Sequence, residues 1–354
     1  MNNKVSVREH NGEVSILKFL FALLILAFHL GDSFDKFKYG YIGVEFFFIV
    51  SGFYFCKSLI NKKVTDKNIP SSTFEFLKNK LLKFLPYYFI LFIMAIPISI
   101  CIDNFTKNDF VLAFMNLFTI PNYENRLYVI YGITWYINSM IIIEFILYPL
   151  LLKFKDKIIY IISPIVIFFS FCFLIINFKW IGNPWSLLSF SFEGIIRALM
   201  DINIGIFMYG IIDKLKDTKL TEFSRFIITI LEIIGYILVA YLSNKHTVVV
   251  EFAMLLIIIL CLFVTLSEKD YLNEFSNNKF FYYLEKLSLP IYVFQFIFIR
   301  LIMYLNIKFT WNLNFTKSFI LLVVVSILFG ILVLKLFNFF SKHKEQVKEM
   351  FIKK

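Results

Sequence analysis

Apolar runs of about 17–25 residues recur along this chain from one end to the other, each long enough to cross a bilayer as a helix. No soluble domain tolerates that pattern, and 59% of the residues are hydrophobic, with 47 Phe among 354. The chain therefore reads as an all-α integral membrane protein and a single domain over 1–354. About ten spans are expected, near 12–32, 40–57, 84–102, 128–152, 158–177, 194–212, 226–243, 248–266, 287–305 and 317–340. The first span is read as retained, because no small-residue cleavage site follows it.

The net charge of +11 would suit a nucleic-acid binder if the basic residues formed one patch. They alternate instead from loop to loop. Most fall in segments that share one side, including 57–83, 153–157, 214–225 and the basic tail 341–354. That asymmetry predicts both termini in the cytoplasm, no nucleic-acid partner and the lipid bilayer as the surroundings. Residues 70–83, PSSTFEFLKNKLLK, predict a short amphipathic helix on the cytoplasmic surface. The longer outer connections, near 103–127 and 178–193, carry Trp180 and Trp185 as interfacial anchors. The four Cys and four His are too scattered for a metal or disulfide motif, so no metal is expected.

Charges inside the spans point to function. A charged side chain in hydrocarbon costs about 2.5–3.5 kcal/mol on insertion scales, so such residues face a cavity, a partner or a site. Lys18 and His29 lie eleven residues apart on the first span. They share a face to within about 20° and are separated by about 16 Å of helix rise. The returning helix brings Glu45 to about the depth of His29. A His held by a carboxylate is a general base in its correct tautomer; a hydrogen-bonded clamp between two helices is the alternative. On the sixth span Glu193, Arg197 and Asp201 form one stripe that can pair internally. Ser51 and Gly52 are small enough for close helix packing. Glu144, Glu232 and Arg300 are read as charges paired across helices.

Three stretches carry a family resemblance: Lys18–x10–His29, GVEFFFIVSGF from Gly43 to Phe53, and FLKNKLLKFLPYY from Phe76 to Tyr88. In that order they resemble the bacterial membrane acyltransferase-3 family, polytopic enzymes that O-acylate glycans, commonly from acetyl-CoA. The likeness is strongest over 8–90 and looser over 134–149 and 284–300, where many relatives have His near Gln295. It implies His29 and Glu45 as the catalytic pair. Lys80 and Lys83 stand where the family has arginines that hold the phosphates of an acyl-CoA donor, with Lys78 and Lys18 beside them. Trp135, Glu193 and Arg197 are the candidates for the glycan acceptor's contacts. The implied activity is O-acyl transfer, most simply of acetyl, in a bacterial inner membrane. A transporter or flippase is the competing class, because intramembrane charges also line transport paths, yet no repeat between halves is evident.

The orientation is testable with cysteines introduced singly at Ser33 and Lys62. In intact cells an impermeant thiol reagent is expected to label position 33 and spare position 62; the reverse pattern would invert the topology.

Overall fold

The computed structural model describes the backbone of residues 11–103, 134–178, 193–245, 248–276 and 278–352, and side chains within these except 101–103, 248 and 341–352. The two longer outer connections with Trp180 and Trp185, and the side chains of the basic tail, lie outside the described residues. The described part is helical: α1 (Gly12–Gly31), α2 (Gly43–Ile60), α3 (Ile69–Asp103), α4 (Thr134–Lys157), α5 (Ser163–Phe178), α6 (Glu193–Leu215), α7 (Glu222–Leu242), α8 (Val248–Ser267), the short α9 (Leu272–Ser276), α10 (Lys279–Lys308) and α11 (Phe315–Ile352).

Nine helical stretches among the described residues are long and apolar enough to cross a membrane. One of them, Thr134–Phe178, has 45 residues. At 1.5 Å per residue it would be about 68 Å long, more than twice the roughly 30 Å of hydrocarbon. It does not run straight. Phe154 leaves helical geometry (φ −126°, ψ 36°), and a π-helical turn follows at Ile158–Ile162. Beyond the break, the Tyr160 hydroxyl donates to the Gly210 carbonyl and the Ser163 hydroxyl to Asn203 Oδ1, so α5 climbs back along α6. Before it, Trp135 lies beside Arg197, so α4 runs in the same direction as α6. The nine stretches thus make ten crossings.

The segment 70–83 differs from its expectation. It is not a separate surface helix but the first half of α3, continuous with the following span through Pro86. A proline ring usually breaks a helix by removing an N–H, yet membrane helices tolerate it where neighbours satisfy the freed carbonyl. Continuity makes α3 one rod, with its lysines rigidly placed relative to the bundle.

Packing follows a line, α11–α10–α1–α2–α6–α5, with α3 and α4 on one flank and α7 and α8 on the other. Most helices meet through buried apolar side chains, but the outlying α7 is inverted in polarity relative to a helix of a soluble protein. On α7, Thr229, Glu232, Gly235 and Val239 face inward, whereas Phe223, Phe226, Leu231, Ile234 and Ile237 are exposed. Hydrocarbon solvates the outer face, so the helix–helix contact is made by small and polar groups.

The tightest contact is α2 on α6. A Cβ on Gly52 would meet the carbonyl oxygen of Ile202 at 2.2 Å, and one on Gly205 would meet the carbonyl oxygen of Ile49 at 2.1 Å. Each glycine admits the other helix's backbone, as small residues do in membrane bundles. The obstruction is main chain, which cannot swing aside like a side chain. Gly52→Leu is therefore expected to remove most folded, inserted protein, with Gly52→Ala milder; overpacking of this kind costs typically about 1–3 kcal/mol or more. Fluorescence-detected size-exclusion of detergent extracts measures it, and a wild-type profile for Gly52→Leu would show that the helices do not touch here.

Candidate active site

The end of the bundle where α1 terminates gathers the first turns of α2, α4, α6 and α8. Arg197 is 1% exposed and Glu45 wholly buried. The arginine reaches across the α2–α6 contact, donating from Nε to Glu45 Oε1 at 2.9 Å and from Nη2 to the same oxygen. Its guanidinium lies over Trp135, 5.1 Å from the ring centroid, and over Tyr41 at 5.8 Å. The Tyr41 hydroxyl donates to Glu251 Oε1 at 2.5 Å, bringing α8 into the network. Burying a charge is tolerable only when it is paired and hydrogen-bonded, and both members of this ion pair are buried in the bundle.

That arrangement corrects one expectation. Glu45 does not hold His29: its Oε1 accepts both bonds from Arg197, and no bond from it reaches the imidazole. His29, in the last turn of α1, packs its ring against Phe296 of α10 (centroids 4.3 Å apart) and Phe28 (4.7 Å). No hydrogen bond to its ring forms among the described residues. In the Glu193–Arg197–Asp201 stripe, the hydrogen bonds of the guanidinium go across the helices to Glu45, while the two acids of its own helix act on it through their charge. Asp201 is completely buried one turn below Arg197, and neither of its oxygens accepts a hydrogen bond. Gln295, next to Phe296, is also fully buried with its amide unengaged. Unsatisfied buried polar groups are uncommon in native structures and mark places where a bound molecule supplies partners.

The opposite end holds a cavity of about 500 Å³ lined by Ser58, Lys62, Ser72, Phe76, Lys80, Lys83 and Tyr148, among others. Lys80 and Lys83 both line it; Lys78 is not among the lining residues, and neither is Lys18. Lys18 instead pairs with Glu285 of α10 at 2.5 Å, with Ser15 donating to the same carboxylate at 2.9 Å. Lys62 and Tyr148 are among the lining residues that carried no sequence signal. Lys62 donates to the Tyr148 hydroxyl at 2.6 Å, and Tyr148 stacks on Phe76 with centroids 4.5 Å apart and rings 23° from parallel. A basic residue in a positive-inside loop carries no sign of such a role, because topology alone accounts for it.

Between the two ends runs a polar link. Lys80 pairs with the buried Glu144 of α4 at 2.5 Å, and Ser51 of α2 donates to the other oxygen of Glu144 at 2.6 Å. Along α2, Glu45, Ser51 and Ser58 thus mark the ion pair, the link and the cavity. The first and last lie about 20 Å apart by helix rise.

Removing one partner of a buried pair leaves an uncompensated charge and costs about 3–5 kcal/mol. Glu45→Gln is expected to lower thermal stability and abundance strongly, and Arg197→Met added to it should restore much of both. The check is thermal unfolding of the purified single and double variants. Additive losses in the double variant would mean that the two residues do not act as a pair.

A family model described as an acyltransferase domain, acyltransferase-3, matches residues 11–335. No curated protein and no solved structure matches the chain. The match begins at the cap of α1 and runs into α11, so it takes in both the His29 end and the lysine-lined cavity. The chain belongs to the acyltransferase-3 family, and it is a multi-pass membrane acyltransferase.

Proposed function

We propose that this protein is an O-acetyltransferase of a bacterial inner membrane that moves acetyl from acetyl-CoA to a hydroxyl of a cell-surface or lipid-linked glycan. The observation that carries the reading is the pairing of a cationic, aromatic-walled cavity at one end of α2 with a histidine at the other end of the bundle. The charge asymmetry of the loops puts the cavity on the cytoplasmic side, where acetyl-CoA is made, and His29 toward the outside, where glycans are assembled.

Lys80 and Lys83 hold the donor's phosphates as point charges, with Lys62 facing them across the cavity. The Phe76–Tyr148 stack offers an aromatic wall to the adenine. The pantetheine arm follows α2 inward past Ser51. His29 accepts the proton of the acceptor hydroxyl as its oxygen attacks the thioester carbonyl; the carbon–sulfur bond then breaks, and the CoA thiolate takes a proton to leave as free CoA. Glu45 serves by fixing Arg197 and, through it, Trp135. The imidazole works without a carboxylate partner on its second nitrogen, an arrangement that departs from a Ser-His-Asp type of charge support. Trp135, Arg197 and Glu193 form the buried wall against which the acceptor end is built.

Transfer of labelled acetyl from acetyl-CoA to membrane glycans, followed by mass spectrometry, tests this directly. His29→Ala is expected to lower transfer about 10²–10⁴-fold with insertion intact. The Lys80→Ala/Lys83→Ala double variant should raise the KM for acetyl-CoA, the corresponding Arg pair should work well, and Lys78→Ala should change little. Near-normal transfer by His29→Ala would overturn the mechanism, and an unchanged KM in the double variant would reduce those lysines to topology signals.

A further inference from the structure

A second buried cluster lies at the cavity end of the bundle, apart from the residues given a role in the proposed reaction. Glu13 stands in the first turn of α1, Glu232 midway along α7, and Asp270 just before α9. All three side chains are at most 3% exposed. One carboxylate oxygen from each lies within 4.8 Å of the others. No Lys or Arg pairs with any of them among the described residues.

The scaffold treats these acids unusually. Thr265 donates its hydroxyl to Glu232 Oε1, and the backbone N–H of Asn273 donates to Asp270 Oδ1 at 2.8 Å. One oxygen of each is thereby held, while Glu232 Oε2 and Asp270 Oδ2 are buried and have no partner outside the cluster. Glu13 goes further. It is 3% exposed, and neither of its oxygens has a hydrogen-bond partner outside the cluster, where it faces the other two acids. It is not needed to cap α1, since Asn11 does that by accepting from the Val14 N–H at 3.0 Å. A desolvated carboxylate without structural employment, turned toward two others, is a ligand in want of a cation.

We infer that Glu13, Glu232 and Asp270 bind a hard divalent cation, magnesium or calcium, that fastens the start of α1 to the α7–α8 pair. The donor set is oxygen alone, which selects such ions over zinc or copper. Ligands around calcium lie roughly 2.3–2.6 Å from the ion, so two of its oxygens stand at most about 4.6–5.2 Å apart, and the three oxygens here fall inside that limit; magnesium, with shorter bonds, would draw them closer and keep waters. The position gives the ion a mechanical role. α7 packs chiefly on α8, whereas α1 carries Lys18 and His29 and packs on α10 and α2. The cation joins these two groups of helices at the foot of α1.

The test uses the full chain, purified in detergent and stripped with EDTA. Equilibrium dialysis and thermal unfolding are run separately with Mg²⁺ and with Ca²⁺, which tells the two ions apart. Expected is one ion bound per chain with a melting temperature that rises and saturates with cation concentration. Glu13→Gln and Asp270→Asn should each weaken binding at least about tenfold and flatten the thermal response, while Asp217→Asn, at an exposed carboxylate, should leave both unchanged. Stripped wild-type protein that binds neither ion, or variants that bind as wild type does, would overturn the site. The wild-type dialysis decides even if a variant fails to fold.

Discussion

The ion pair between Glu45 and Arg197 is the interaction on which the rest of the active end depends. A guanidinium so deep in a membrane protein survives only with a carboxylate on it, and a carboxylate at that depth only with a cation. The pair can form because α2 and α6 approach backbone to backbone at Gly52 and Gly205. Without those two glycines the helices would stand farther apart and the bond would lengthen or open to water. The bond in turn fixes the guanidinium over Trp135 and Tyr41, and Tyr41 ties in Glu251 of α8. Small residues and one salt bridge thereby set the positions of four helices.

Polar groups elsewhere in the bundle follow the same logic on a smaller scale. Lys18 has Glu285, Lys80 has Glu144, and Glu232 has Thr265. Lys80 is the informative case. Its partner in this structure is a buried carboxylate, whereas in the proposed reaction it faces a phosphate on the cavity side. Glu144 is shared with Ser51 of α2, so a change of partner by Lys80 is felt by the helix that carries Glu45. In the proposed reaction, donor binding at Lys80 would therefore reach α2 through one side chain, Glu144. Asp201, Gln295 and the second oxygen of Glu45 are among the buried groups at this end of the bundle without a hydrogen bond.

Much of this could be read from the chain. The ten crossings follow from apolar run lengths, because hydrocarbon thickness sets helix length directly. The break near Phe154 is legible as charged residues 153–157 between two apolar runs. Gly52 was readable as a packing residue, and Lys80 and Lys83 as neighbours, since they lie one turn apart on one helix. The continuity of α3 was not. Amphipathic periodicity stops near Lys83, and only neighbouring helices make it favourable for the helix to continue through Pro86.

What the sequence determined by itself is local and periodic: the spans, their alternation, and which charges lie inside them. A bilayer imposes those through the solvation of each residue separately. The tertiary structure alone decided which charges meet. Glu45 lies close to His29 in the chain and at a similar depth, yet its partner is Arg197, 152 residues away. Helical periodicity gives a side chain's direction relative to its own axis but not the rotation of that axis against its neighbours. Packing at Gly52 and Gly205 sets that rotation. The same holds for Glu13, Glu232 and Asp270, each unremarkable in its own helix or turn and forming a site only once three separate segments close around them.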